Sequence, residues 1–325
     1  MKFNTLCPAF LGASLLAPAA LASHTAASSL GTGSGSSINT ESAVPLAREG
    51  WSVGLRYEQQ RSDRLTDAEM EQIVTDDPEA DLHSIDQLIV ISLDAAYGLM
   101  ENLTLGLTLP WVERQDVRAP EDEGDGVGIG REGDSKGMGD LKMFGLWRFF
   151  QEAATTSHAG LLFGISVPTG KDDDTEAEGG PFEQEFQPGS GSWDPFLGVA
   201  YTRGFGRVGL DASLTYTLVN EGSQDTDLGD YLAYNAGLAY ALTPDASLRW
   251  NAVLELNGLW RDKQEIASET LENSGGSWLE LTPGITLSST KWTAFANVGV
   301  PIVNEPNGKQ DEHDIRFLLG FRVRR

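Results

Sequence analysis

The side chains with the greatest chemical capacity in this sequence are carboxylates, and several of them are grouped. Asp172, Asp173 and Asp174 are consecutive, and Glu176 and Glu178 follow closely. Hard oxygen ligands of this kind are those that Ca²⁺ prefers, although the spacing is not that of an EF-hand loop. Cation binding is therefore one of three interpretations. The others are a solvated, self-repelling surface and a surface that concentrates cationic solutes.

A second set of charged residues, of both signs, lies at alternate positions in segments whose other face is apolar. Arg56 and Glu58, for example, alternate with Leu55 and Tyr57. Charges that share one face could pair with one another, or they could line a polar passage that selects solutes. The set comprises Arg56, Glu58, Lys142, Arg148, Asp194, Asp211, Glu255, Glu280, Arg316 and Arg322.

Catalytic and cofactor chemistry is weakly supported. His83 is adjacent to Ser84, yet neighbours in a chain do not form a proton relay without a third group and an oxyanion site. Gly124–Gly130 does not lie between a strand and a helix, so we interpret it as a flexible loop and not as a phosphate-binding loop. The single cysteine excludes a disulfide framework and a Cys-rich metal centre. We therefore expect neither an enzyme nor a cofactor.

Alternation of apolar and polar residues dominates the sequence from Gly50 onward and predicts amphipathic β-strands. Between Val208 and Leu218, for example, every second residue is apolar. No comparable stretch has convincing helical spacing. We count twelve predicted strands, close to residues 50–61, 85–97, 102–113, 139–150, 158–168, 192–203, 207–219, 231–242, 246–260, 277–288, 292–301 and 314–325.

The connections between these strands are alternately long and short, which places all the long ones at one end of an antiparallel meander. The six long connections hold 33 of the 48 acidic residues and 9 of the 23 basic ones, so nearly all of the net charge of −25 belongs to that end. This pattern is typical of a transmembrane up-and-down β-barrel with short periplasmic turns and long acidic extracellular loops. Closure of the barrel satisfies the strand edges, as lipid requires.

Aromatic residues near the strand ends predict two belts at the membrane surfaces. One belt includes Trp51, Trp147 and Trp250, and the other includes Trp111, Trp193, Trp260 and Trp278. The alternative fold is a soluble β-sandwich, whose antiparallel sheets also alternate. The regular alternation of loop lengths favours the barrel.

The N-terminal part of the chain predicts export. Residues 1–22 resemble a signal peptide, because Lys2 precedes an apolar stretch that ends in small residues. Residues 23–49 are rich in Ser and Gly and predict a flexible leader that either stays periplasmic or folds back into the lumen. Residues 50–325 would then form the barrel in a bacterial outer membrane, with lipid, lipopolysaccharide and the assembly machinery as partners. The acidic charge balance argues against nucleic acid.

Three short motifs carry a resemblance to a known family. They are GMGDL at Gly137–Leu141, VPTG at Val167–Gly170 and GSGSWDP at Gly189–Pro195. With them, the chain resembles the outer-membrane family named for the "MetA pathway of phenol degradation". The resemblance implies an outer-membrane barrel and, for some members, transport of aromatic or other hydrophobic compounds. It supplies no binding or catalytic residues.

Three functions are consistent with these observations. The preferred one is a channel or transporter for the passive passage of small solutes through a mixed-charge lumen. The alternative is a closed surface barrel whose acidic loops bind divalent cations, lipopolysaccharide or an external partner. The least supported is a hydrolase that uses His83 or His313.

Overall fold

The computed structural model describes residues 37–77, 82–122, 126–152, 154 and 156–325. The predicted signal peptide and the first part of the predicted leader, residues 1–36, lie outside the described residues. Within these ranges, no helix is long and apolar enough to span a membrane.

The described residues contain sixteen strands and one α-helix. In chain order they are β1 (Trp51–Asp63), α1 (Asp67–Asp76), β2 (Gln87–Met100), β3 (Leu103–Asp122), β4 (Val127–Met138), β5 (Leu141–Glu152), β6 (Ser157–Val167), β7 (Asp194–Phe205), β8 (Val208–Thr217), β9 (Thr226–Asp227), β10 (Tyr231–Ala241), β11 (Arg249–Arg261), β12 (Glu265–Ile266), β13 (Glu269–Thr270), β14 (Gly276–Ser288), β15 (Trp292–Pro306) and β16 (Glu312–Arg324). The helix and strands β4, β9, β12 and β13 belong to the long connections, and the other twelve strands form a barrel.

Each of the twelve strands pairs antiparallel with the next one along the chain, and β1 pairs with both β2 and β16. The seam between the first and last strands runs from Ser52 opposite Arg324 to Asp63 opposite Glu312. The sheet is therefore closed and has no free edge in its wall. The prediction of an all-β, twelve-stranded, antiparallel up-and-down barrel is confirmed.

The two faces of the wall differ as the alternation predicts. On β1, Trp51, Val53 and Leu55 are exposed, whereas Ser52 and Arg56 are buried. The same division repeats around the barrel and leaves a continuous apolar outer surface. Such a band is far larger than the apolar patches of soluble proteins and is the surface that contacts lipid in outer-membrane barrels.

Trp278 is an exception to the predicted outer belt, and that expectation was wrong. Its side chain is only 2% exposed and stacks on His313, with ring centroids 5.2 Å apart. Trp278 lies two residues before Glu280 and therefore points to the same face of β14 as that buried carboxylate. Its place near a strand end suggested a belt residue. Side chains an even number of residues apart on a strand share a face, however, and this parity puts Trp278 inside. Trp111, Trp193 and Trp260 are exposed on the outer surface, as expected.

The connection that follows the third barrel strand is largely a β-hairpin. Strand β4 pairs with the outer part of β3, from Trp111 opposite Met138 to Asp122 opposite Val127. Strand β5 pairs with the inner part of β3. The prediction of a flexible loop at Gly124–Gly130 was therefore wrong from Val127 onward, and residues 124–125 lie outside the described residues. Glycines alternate with apolar residues there. This is a strand pattern, but it differs from that of the barrel strands, whose apolar side chains face lipid.

Helix α1, in the first long connection, was not expected from the sequence. Its N-terminus is a capping box: the Thr66 hydroxyl accepts the Glu69 N–H, and the Glu69 carboxylate accepts the Thr66 N–H. Met70 is buried and packs with Leu65 and Leu82. One buried residue in a helix of this length gives too little periodicity to be recognised in a sequence.

Asp311, in the last long connection, holds the first long connection in place. Its carboxylate accepts the backbone N–H groups of Leu65 and Ile85, each at 2.9 Å. Burial raises the pKa of Asp311 to about 6, although these hydrogen bonds, one from Ser84 and the charge of Arg118 oppose the shift.

We expect the first long connection to be held more firmly near pH 4 than near pH 7. Because the pKa of Asp311 is raised from 3.8 to about 6 in the folded state, folding takes up a proton between these values. The stability that this proton provides is then lost as the pH rises through the interval. The D311N variant has no such proton. Limited proteolysis of wild type and D311N, compared at each pH, measures the difference, and an equal pH response of the two proteins would contradict it.

Candidate functional site

Residues 37–49, here called the plug segment, precede β1 and run through the interior of the barrel. Asn39, Thr40 and Ala43 are buried and contact residues on the inner face of the wall. Of the two positions that the sequence left open for the leader, this part of the chain occupies the lumen.

Two of the predicted lumen residues hold the start of the plug segment. The Glu255 carboxylate, on β11, accepts the N–H groups of Asn39 and Thr40 at 3.0 and 2.8 Å, and also the Thr40 hydroxyl at 2.8 Å. The Asp211 carboxylate, on β8, accepts the N–H and the hydroxyl of Ser37 at 3.2 and 2.8 Å. Hydrogen bonds to ionised acceptors are among the stronger ones in proteins. These two carboxylates therefore bind the protein's own plug segment.

The plug segment then crosses the barrel to the opposite wall. The Ala43 N–H donates to the Thr202 hydroxyl on β7 at 2.9 Å, and the Leu46 N–H donates to the Thr104 hydroxyl on β3 at 2.8 Å. Strands β3 and β11 are six positions apart in a ring of twelve, so Thr104 and Glu255 belong to opposite walls. The segment thus spans the full width of the lumen.

The plug segment also has an apolar contact surface. Ala43 and Leu46 pack in a buried cluster with side chains from β2, β5, β6 and β7. The wall residues of this cluster are Ala96, Phe144, Leu146, Leu162, Phe196 and Ala200. The lumen face is therefore not uniformly polar, and an apolar patch lies beneath the plug segment.

Three other predicted lumen residues form a buried ion cluster where β14, β15, β16 and β1 lie side by side. Arg316 on β16 donates through Nε to Glu280 on β14 at 2.8 Å, and through Nη1 to Glu58 on β1 at 3.2 Å. Strand β15 lies between β14 and β16, and its Gly299 has no side chain to block the contact. Each charge in the cluster has a partner, as the structural interpretation of the lumen charges predicts.

Two arginines lie nearer the short-turn end of the lumen. Arg56 faces Asp94 on the neighbouring strand, with 3.8 Å between Nη2 and Oδ1. The Arg322 guanidinium lies 5.6 Å from the ring centre of Phe295. The contact between Arg56 and Asp94 is long for an ion pair, so their charges are matched without a tight hydrogen bond.

The last three predicted lining residues lie near the ends of their strands. Lys142 Nζ is 5.4 Å from the ring centre of Phe196. Arg148 donates to the Glu101 carbonyl at 3.0 Å, at the short-turn end. Asp194 accepts the Ser192 hydroxyl at 2.7 Å at the other end, where β7 begins. These residues lie toward the two ends of the lumen.

The mouth of the barrel at the end with the long connections is covered by the connection between β6 and β7. Phe182, Gln184, Phe186 and Gln187 of this connection are each at most 3% exposed. Phe182 and Phe186 form an apolar cluster with residues of the first two barrel hairpins, namely Ile85, Leu88, Val112 and Val117. The segment around residues 182–187 therefore lies within the mouth and narrows it.

Two fully buried arginines in this region, Arg114 on β3 and Arg261 on β11, were missed by the sequence analysis. Arg114 donates through Nη1 to the carbonyls of Phe186 and Gln187, at 3.0 and 3.2 Å. Both arginines fell just outside the predicted strands and were counted as loop residues. Parity would have found them, because Arg114 is an even number of residues from Thr108 and Arg261 is an even number from Glu255.

The structure does not bring Asp172, Asp173 and Asp174 together as one set of metal ligands. The Asp172 carboxylate accepts the Ser223 hydroxyl. The Asp174 carboxylate accepts Lys171 Nζ at 2.5 Å and the Lys136 N–H at 2.7 Å, and Asp173 is exposed to solvent.

A different group of potential ligands does converge in the mouth. Ligand atoms of His83, Glu183 and Glu185 lie within 4.8 Å of one another. His83 also packs against Phe186, with ring centroids 5.1 Å apart. His313 instead stacks on Trp278, so the two histidines considered for hydrolysis belong to different clusters.

A closed barrel with an apolar exterior and charged side chains in its lumen is an outer-membrane β-barrel. The chain belongs to the family described as "Putative MetA-pathway of phenol degradation", whose profile matches residues 62–307. The predicted family is thereby confirmed. Among curated proteins, none matches the chain significantly in sequence.

The chain is similar to solved structures, one of which has a TM-score above 0.5 and shares the fold. A crystal structure of an outer membrane channel from Pseudomonas putida F1 has a TM-score of 0.58 and 17% identity, with 89% of this chain and 100% of that chain covered. The Pseudomonas putida toluene transporter TodX has a TM-score of 0.48 and 9% identity, with coverage of 94% and 99%. The CymD monoaromatic hydrocarbon channel has a TM-score of 0.45 and 11% identity, with coverage of 86% and 88%.

We expect the R316M variant to destabilise the barrel by about 3–5 kcal/mol, because it leaves the buried carboxylates of Glu58 and Glu280 without a counter-charge. The triple variant E58Q/R316M/E280Q removes all three charges together and should recover much of that loss. The midpoint of urea unfolding in detergent micelles measures both effects. A single variant as stable as the wild type would contradict this account of the ion cluster.

Proposed function

We propose that this protein is an outer-membrane channel for the passive passage of small solutes, with aromatic or other hydrophobic compounds as the main class. The observation that carries the proposal is the plug segment. A separate stretch of chain occupies the lumen and is bound to side chains of the wall by hydrogen bonds and apolar contacts, without pairing with the wall as a strand.

The way in which the lumen is filled supports a channel over a solid barrel. Barrels with no passage are filled by the side chains of their own strands. Here the lumen also holds a segment whose removal would break no hydrogen bond between barrel strands. Hydrogen bonds to charged groups contribute about 1.5–3 kcal/mol each. Displacing the segment from Asp211 and Glu255 breaks hydrogen bonds of this kind but leaves the wall of the barrel closed.

The surface beneath the plug segment supports the solute class. If the segment moves aside, Phe144, Leu146, Leu162 and Phe196 become part of the passage wall. Such a surface suits an apolar or aromatic solute better than a strongly hydrated one. The description of the family, which refers to phenol degradation, agrees with this class.

The outer membrane is the proposed location, since the exposed apolar band and its aromatic residues need lipid. Lipopolysaccharide and the assembly machinery would be the partners there. In the alternative function, the barrel stays closed and the acidic long connections bind divalent cations, lipopolysaccharide or an external partner at the cell surface.

We expect the D211N/E255Q variant to open more often or more widely than the wild type, because amides hold the N–H donors of the plug segment more weakly than carboxylates do. Single-channel recording in planar bilayers measures the change. The control is E269Q, which removes an exposed carboxylate in the long connection after β11. If neither the wild type nor D211N/E255Q conducts although both proteins are folded, the channel proposal fails and the closed surface barrel is favoured.

A further inference from the structure

The two buried arginines of the mouth carry more donor groups than the described chain satisfies. Arg261 is 1% exposed, and its Nε, Nη1 and Nη2 atoms have no hydrogen-bond partner in the described residues. Arg114 is fully buried, and its Nε and Nη2 atoms are likewise unpartnered there. In the same residues, neither guanidinium takes part in an ion pair.

This arrangement is energetically costly unless something binds to it. A guanidinium cannot lose its proton in a protein, so both groups stay charged. Burying a charge without a counter-charge or a full set of hydrogen bonds is strongly unfavourable. Two such groups in one region therefore indicate a place for an anion.

The barrel geometry brings the two arginines to the same level of the passage. Strands β3 and β11 belong to opposite walls. Arg114 lies three residues beyond Trp111 and Arg261 one residue beyond Trp260, and both of these tryptophans are exposed on the outer surface. The two guanidinium groups are close enough for the charge of one to act on the other. Both side chains are buried on the lumen side of the wall at this level.

The acidic groups nearest to the arginines are engaged elsewhere. Glu185 accepts a hydrogen bond from Gln264 at 2.8 Å and lies 3.8 Å from His83 Nδ1. Asp194 accepts the Ser192 hydroxyl and the Asn220 N–H. Both carboxylates act on Arg261 at a distance, and neither forms an ion pair with it.

The surroundings also indicate what kind of anion fits. The Arg261 guanidinium lies 5.1 Å from the ring centre of Tyr231. Tyr231 belongs to a buried apolar cluster with Val219, Leu228, Leu259 and Trp278. A ligand that meets the arginines through a carboxylate would therefore have an apolar surface beside it for an aromatic body.

We propose that Arg114 and Arg261 form a binding site for the carboxylate of a small aromatic acid. Each guanidinium presents parallel N–H groups that match the two oxygens of a carboxylate. The proposal deepens the channel function and rests on it for how the ligand reaches the site. It assigns aromatic carboxylates as a solute class that the channel binds at its mouth.

The test is calorimetric titration of benzoate into the full-length protein in detergent. Wild type should bind benzoate, and R261M should bind it roughly 10- to 100-fold more weakly, as expected for the loss of a charged hydrogen-bonding partner. Benzyl alcohol, which has the same ring without the charge, should bind weakly and equally to both proteins. The matched control is R131M, which removes an exposed arginine of the β3–β4 hairpin.

Thermal unfolding separates a binding role from a structural one. Without benzoate, R261M should be at least as stable as the wild type, because it removes a buried charge that has neither an ion-pair partner nor a hydrogen bond in the described residues. Benzoate should raise the unfolding temperature of wild type but not of R261M. The R261K variant keeps the charge without the planar fork, so its affinity for benzoate should be intermediate.

Three results would overturn the site: no benzoate binding by wild type, equal affinity in R261M, or R261M that unfolds earlier without ligand. Failure of the channel gives a different pattern. Benzoate binding that depends on Arg261, together with silent D211N/E255Q channels, would leave the site and reject the passage. Conducting channels without benzoate binding would do the reverse.

Discussion

The satisfaction of backbone hydrogen bonds inside lipid is the constraint on which the rest of this structure depends. No water is available at membrane depth to pair with a free strand edge, so the sheet must close on itself. Here closure is completed by the first and last strands, with Trp51 and Arg325 exchanging backbone hydrogen bonds at 3.0 and 2.9 Å. Once the wall is closed, alternate side chains have no choice but to face lipid or the interior.

That division forces the charged residues into a narrow interior, where each must find a partner. The barrel meets this need in two ways and leaves it unmet in a third case. Arg316 is neutralised by wall carboxylates, whereas Glu255 is satisfied by the N–H groups of another chain segment. Arg114 and Arg261 have donors that neither the wall nor the plug segment satisfies. The first arrangement stabilises the barrel, the second fills it, and the third leaves capacity for a ligand.

The sequence was informative wherever parity alone decided the outcome, and less so where tertiary contacts decided it. Period-two alternation predicted the twelve strands and the inward orientation of Arg316, because lipid tolerates only one arrangement. Trp278 was misplaced because position along a strand was given more weight than parity. Helix α1 and the outer hairpin lie in water, where no lipid-facing side imposes a pattern. The path of residues 37–49 depends on pairings such as Asn39 with Glu255, which no local pattern encodes.

The covalent link between the plug segment and β1 gives that segment the character of a built-in competitor. Gly50 joins the two directly, so a displaced segment stays within reach of Asp211 and Glu255 at an effective concentration of about millimolar or higher. In the proposed channel, a solute would compete with this tethered ligand at every passage. The lumen would then refill by itself after each event, without an external source of energy, and a higher solute concentration would be needed to reach half of the maximal flux.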